Sequence, residues 1–77
     1  MKADQSLDCV GLYCPMPIVK TAEIIKKLKS GEILEVLADD VGIKKDMPAW
    51  CQATGHELLA IEEEAGQYKV YVKKSEE

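Results

Sequence analysis

The sequence predicts an α+β domain: a two-layer α/β sandwich of order βαβαββ, with a four-stranded mixed sheet and two helices on one face. Three observations predict it. A short alternating segment leads into a stretch with apolar residues at helical spacing. After Gly31 comes the nearly all-apolar run Ile-Leu-Glu-Val-Leu-Ala, as expected of an interior strand. The chain then closes on two strand-like runs separated by Ala65-Gly66. Seventy-seven residues without repeat, linker or low-complexity segment make a single domain over 1–77.

Each element has its own justification. Ser6 to Val10 alternates Leu7 and Cys9 against Ser6 and Asp8 and stops at Gly11, which reads as a short first strand. Proline is tolerated in a helix only in the first turn, so Pro15 and Pro17 mark a helix start with Cys14 as N-cap, Pro15 at N1 and Pro17 at N3. From there Ile18, Ala22, Ile25 and Leu28, with Val19 beside them, predict a helix from Pro15 to about Lys29 that Gly31 ends. Lys20, Lys26, Lys27 and Lys29 give its outer face a basic character. The strand over 33–38 then follows a strand and a helix, which implies a parallel, right-handed crossover. Asp39 and Asp40 offer caps for a second helix, where Ile43, Met47, Trp50 or Cys51, and Thr54 share a face. Pro48 falls inside that pattern, so the helix is either kinked there or begins near Asp46, and Gly55 ends it. His56 to Glu64 and the alternating run at Tyr68, Val70 and Val72 complete a hairpin. The other sheet face is left uncovered for a partner or a second copy.

Composition excludes several function classes. The net charge is −4 and arginine is absent, which argues against nucleic-acid binding. No apolar run approaches the roughly 18 residues that span a bilayer. The polar start Met1-Lys2-Ala3-Asp4-Gln5-Ser6 has no signal-peptide core behind it, so a cytoplasmic location is expected. Three cysteines in such a chain are expected to stay reduced rather than form a disulfide framework.

The chemistry concentrates at Gly11-Leu12-Tyr13-Cys14-Pro15-Met16-Pro17. A thiol at a helix start sits where the helix dipole is positive and, on this reading, beside a free Met16 N–H. That setting favours thiolate and lowers the cysteine pKa. Cys14 is therefore the candidate nucleophile, with Gly11, Pro15, Met16 and Pro17 supporting it. This run resembles the Gly-Leu-x-Cys-Pro-x-Pro signature of the TusA/SirA-type sulfur carriers. Further matches occur at Gly31-Glu32, Asp39-Asp40, Asp46-Met47-Pro48-Ala49-Trp50-Cys51 and Gly55-His56-Glu57-Leu58. The chain departs at Val10 and Tyr13, where many members carry arginine, and at Val41, where many carry proline.

The resemblance implies the same fold and a sulfurtransferase-type activity without a cofactor. Cys14 would accept sulfane sulfur as a persulfide from a donor such as a cysteine desulfurase or rhodanese and yield it to an acceptor cysteine. It also places Asp40, Lys44, Lys45 and Asp46 on a docking surface around Cys14. A monomer or weak homodimer is expected, with no direct nucleic-acid or membrane partner. Without those arginines, tRNA-thiolation partners that prefer a basic rim are the less expected ones, and molybdenum-cofactor, sulfur-oxidation and selenium relays stay open. The alternative is a regulatory interaction module using the open sheet face.

Blander readings stand beside the remaining residues. Cys51, on the second helix, is read as a core thiol, with a resolving role for Cys14 as the functional alternative. Cys9 is read as strand filler. Cys9-x4-Cys14 with Cys51-x4-His56 offers zinc-like spacing, but a metal site is not expected, since a chain turn separates the first pair and Cys51 lies mid-helix. His56 is read as packing at a helix–strand corner, with acid–base work conditional on proximity to Cys14. Asp39 is read as a cap.

Overall fold

The computed structural model describes residues 2–13 and 15–75. Its elements are β1 (Gln5–Asp8), α1 (Met16–Ile25), β2 (Ile33–Ala38), α2 (Ile43–Thr54), β3 (Glu57–Glu64) and β4 (Gln67–Lys73). The four strands form one mixed sheet in the order β1-β2-β4-β3, with β1 parallel to β2 and the remaining pairs antiparallel. The expected βαβαββ sandwich is the observed fold.

Period-two alternation decides the sheet's two faces. Leu34, Val36 and Ala38 of β2 lie opposite Val72, Val70 and Tyr68 of β4, and all six are buried. They meet Ile25 and Leu28 of the first crossover and Ile43, Met47 and Cys51 of α2 in one largely aliphatic core. In β3 a register shift between Leu58 and Ala60 places Leu58 opposite Val72 and Ile61 opposite Val70. That bulge explains why the run Leu58-Leu59-Ala60-Ile61 does not alternate in the sequence. The open face is laced by cross-strand charges: Glu57 opposes Lys73 and Glu62 opposes Lys69. Across it, the Tyr71 hydroxyl donates to Glu35 Oε2 at 2.9 Å and the Ser6 hydroxyl to Glu35 Oε1 at 3.1 Å.

Several local expectations need correction. α1 begins at Met16, with Pro15 as its cap residue and Pro17 at the second helical position, so both prolines still fall in the first turn. It ends at Ile25 rather than near Lys29, and Lys27 and Leu28 continue only as tighter turns onto Ile24 and Ile25 carbonyls. Lys26, Lys27 and Lys29 therefore follow the helix instead of lining its last turn. Gly31 is not its stop. It takes φ +86 in a turn closed by the Glu32 N–H on the Lys29 carbonyl at 3.0 Å. The buried residues of α1 are Pro17, Thr21 and Ile25; of the expected apolar face Ile25 and Leu28 are buried and Ile18 packs against the core, while Val19 is exposed. Thr21 can be fully buried because its hydroxyl donates to the Pro17 carbonyl at 2.7 Å.

α2 runs through Pro48 from Ile43, which decides between the two starts the sequence allowed. Asp40 shapes the approach, its Oδ1 accepting the Gly42 N–H at 3.1 Å. Gly55 closes the helix in the left-handed conformation, φ 88, its N–H on the Cys51 carbonyl at 2.9 Å. Among the described residues no helix is long and apolar enough to cross a membrane.

Candidate functional site

The strand register sorts the loops into two ends. Asp8, the last residue of β1, lies opposite Leu37, which lies opposite Lys69 and through it Glu62. The β1–α1 loop, the β2–α2 loop and the tip of the β3–β4 hairpin therefore share one end of the sheet. The α1–β2 turn and the α2–β3 corner share the other.

The motif is in the first group. Cys14 lies outside the described residues; Tyr13 and Pro15 on either side of it are exposed. The loop before it is bonded residue by residue. The Cys9 N–H donates to the Leu37 carbonyl at 2.7 Å, Val10 to Asp8 Oδ1 at 3.0 Å, Gly11 to Asp39 Oδ1 at 3.0 Å, and Leu12 to the Cys9 carbonyl at 3.1 Å. Gly11 itself has φ +88, a conformation that suits glycine.

The expectation of a free Met16 N–H is overturned: it donates to the Tyr13 carbonyl at 2.8 Å. Ile18 donates to the Pro15 carbonyl at 3.1 Å, and prolines 15 and 17 have no N–H. This helix start thus offers a dipole field rather than a set of open N–H donors. No acidic side chain lies in its first turn to offset that field.

The other thiols are of a different kind. Cys9 is fully buried at the end of β1, and burial pushes its pKa up, with Asp8 adding to the shift and Lys20 opposing it. Cys51 is buried against the sheet, and burial pushes its pKa up to about 11. Both are packing residues held in the unreactive thiol form. His56 belongs to the opposite end, since Glu57 beside it pairs with Lys73, which pairs with the first residue of β2. Its Nδ1 accepts the Ser75 N–H at 3.0 Å and its ring lies 5.2 Å from Trp50. It packs a corner, far from the motif. Among the described residues no group of three His, Cys, Asp or Glu is placed to hold a metal.

Of the expected docking residues, Asp40 and Asp46 line a narrow cleft with Pro17, Ile18 and Ile43, where α1 and α2 begin side by side. Lys45 is exposed. Lys44 is committed elsewhere: its Nζ sits 3.2 Å from Glu63 Oε1 and 5.8 Å over the Tyr68 ring. Two features escaped the sequence reading. Asp39 is a tether for the loop at Gly11 and not a helix cap, a pairing across 28 positions that no local spacing signals. The exposed large hydrophobics among the described residues are Val10, Tyr13, Met16, Val19 and Val41, all in or beside the two loops at the motif end. Val10, Tyr13 and Val41 stand where the resemblance led one to expect arginine and proline, which was the available signal.

The family model described as sulfurtransferase TusA matches residues 5–74. The chain is 47% identical over 74 residues to YrkI of Bacillus subtilis, named as a candidate sulfur carrier protein, covering 96% of this chain and 99% of that one. It is 42% identical over 72 residues to the sulfur carrier protein TusA of Allochromatium vinosum, covering 94% and 95%. Two further relatives are longer, and the chain spans 39% and 42% of their lengths. A crystal structure of a SirA-like protein from Desulfitobacterium hafniense superposes with a TM-score of 0.80 at 20% identity, over 94% of this chain and 99% of that one, showing a shared fold.

Proposed function

Because the chain belongs to the sulfurtransferase TusA family, matched over residues 5–74, we propose that it is a small sulfur carrier with Cys14 as the sulfur-bearing residue. The observation that carries this reading is the contrast among the thiols. Cys9 and Cys51 are buried with raised pKa values, which leaves Cys14, whose sequence neighbours Tyr13 and Pro15 are exposed, to act as nucleophile.

In the transfer, the Cys14 thiolate attacks the outer sulfur of a donor persulfide, R–S–SH. The donor's S–S bond breaks, R–S⁻ leaves, and Cys14 becomes Cys14–S–SH; nothing is oxidised or reduced overall. An acceptor thiolate repeats the step in the opposite sense. The positive end of α1 favours the anionic forms on both occasions. No cofactor enters this chemistry. The exposed side chains of Val10, Tyr13, Met16 and Val41, with the Asp40 and Asp46 cleft beside them, form the surface on which donor and acceptor proteins dock. Cysteine desulfurases and rhodaneses are the donor classes to test, and Cys51 takes no part as a resolving thiol.

Intact-mass spectrometry tests this. The reduced protein is incubated with a cysteine desulfurase and cysteine, with rhodanese and thiosulfate, and with inorganic polysulfide. A gain of one sulfur that persists in Cys9→Ser and Cys51→Ser but vanishes in Cys14→Ser is the expected result. Retention of the added sulfur by Cys14→Ser overturns the reading.

A further inference from the structure

We propose that Asp39 is a positioning residue for the sulfur-bearing loop: its Oδ1 accepts the Gly11 N–H at 3.0 Å and so sets the path of the chain into Cys14. This rests on Cys14 as the carrier residue and adds a second residue, from a different element, to the transfer machinery.

The loop's other hydrogen bonds do not fix it in the same way. Val10 donates to Asp8 and Leu12 to Cys9, partners two and three residues back. Those bonds shape the turn, but they move with it. Cys9 donates to Leu37 and extends the β1–β2 ladder by one residue. Beyond Cys9, the bond from Gly11 to Asp39 ties the turn to the end of β2. That strand is the rigid reference at this end of the molecule, since Leu34, Val36 and Ala38 are fully buried between its two neighbours and the helices. Hydrogen bonds to an ionised carboxylate are also about twice as strong as neutral ones.

Gly11 fits the same account. A Cβ built there would meet nothing within 4 Å, so the residue is not glycine for lack of space. Its φ of +88 is the requirement, and in that conformation its N–H meets the carboxylate. The next residue acts locally, Asp40 Oδ1 accepting the Gly42 N–H two positions on, before α2. Of these consecutive carboxylates, Asp40 shapes its own turn, whereas Asp39 joins the β1–α1 loop to the end of β2. A reacting group held by a rigid scaffold keeps its attack geometry, and a displacement of about 1 Å costs up to about a hundredfold in rate.

The test compares the intact protein with Asp39→Ala, which removes the acceptor, and Asp39→Asn, which keeps an oxygen acceptor at the same reach. Three quantities are measured: hydrogen exchange at the Gly11 amide, the rate at which iodoacetamide alkylates Cys14 as thiolate displaces iodide, and sulfur loading from inorganic polysulfide. Melting curves confirm that each variant is folded. Asp39→Ala is expected to speed Gly11 exchange and to slow loading about tenfold, and Asp39→Asn to restore most of both. Wild-type exchange and loading in Asp39→Ala overturn the proposal. Equal loss in Asp39→Asn also overturns it, because the carboxylate's charge and not its tether would then be at work. Failure of wild-type Cys14 to take sulfur from polysulfide counts instead against the carrier reading, while Gly11 exchange, together with alkylation of Cys14 slowed in Asp39→Ala or unchanged, still decides the role of Asp39.

Discussion

The two ends of the sheet are finished differently. At the end away from the motif, chain termini and turns are stitched together by polar groups. Lys74 Nζ donates to the Leu28 carbonyl at 2.6 Å and reaches the Lys26 carbonyl at 3.4 Å, taking up acceptors in the turns that follow α1. The Lys29 N–H meets Glu32 Oε1, Ile33 meets Asp4 Oδ2, and Ser75 meets His56 Nδ1. At the motif end, carboxylates of Asp8, Asp39 and Asp40 brace the loops from beneath, while Val10, Tyr13, Met16 and Val41 stay in water. Exposed apolar side chains contribute little to a lone folded chain, so their gathering at one end marks a surface kept for contact. One end serves the fold, and the other, on the proposed reading, serves partners.

Substitutions at the two ends should therefore be read out by different experiments. Lys74→Ala leaves the Leu28 carbonyl without its charged donor and is expected to cost about 2 kcal/mol in urea unfolding. The folded variant should load sulfur on Cys14 at the wild-type rate; a loading defect at unchanged stability would break the division between the ends. Tyr13→Ser is the converse. Tyr13 is 77% exposed, so its replacement should shift stability by no more than about 0.5 kcal/mol. It should raise the KM for a protein sulfur donor about tenfold, as loss of an aromatic contact at an interface centre does, and leave loading from polysulfide unaltered. An unchanged KM would sever the apolar surface from docking.

Much of this division was legible in the residues themselves. The alternation in β1 and β4, the all-apolar β2 and the prolines at 15 and 17 carry the element order, because each reports a local constraint on the backbone. What the sequence concealed is long-range or polar. Thr21 is polar yet fully buried, which its hydroxyl bond to the Pro17 carbonyl allows and no apolar spacing signals. The bulge in β3 hid behind four consecutive apolar residues. Met16 was expected to keep its N–H open, but the turn from Tyr13 consumes it. At the site, the motif singled out Cys14 through local pattern, whereas the Asp39 tether joins residues 28 apart and only the fold brings them together.

The open sheet face, between the two ends, belongs with the stitched one, and Tyr71 provides the way to show it. Its hydroxyl donates to a Glu35 oxygen whose partner oxygen accepts from Ser6, so three adjacent strands are linked by one carboxylate. The phenol's pKa is raised from 10.0 to about 12, chiefly because the bonded proton holds Glu35 and secondarily through burial and the negative charges of Glu35 and Glu62. A group whose folded pKa lies above its unfolded value stabilises the fold fully below the unfolded value and loses that contribution as pH rises through the folded one. Stability should thus be insensitive to this group up to about pH 10 and decline between pH 10 and 12. Tyr71→Phe should flatten that decline, and Glu35→Gln should lower the pH at which the Tyr71 phenolate appears in the ultraviolet spectrum. If Tyr71→Phe declines as steeply as wild type, the linkage is not holding the face together. The solvated surface would then be open to the same kind of contact as the motif end.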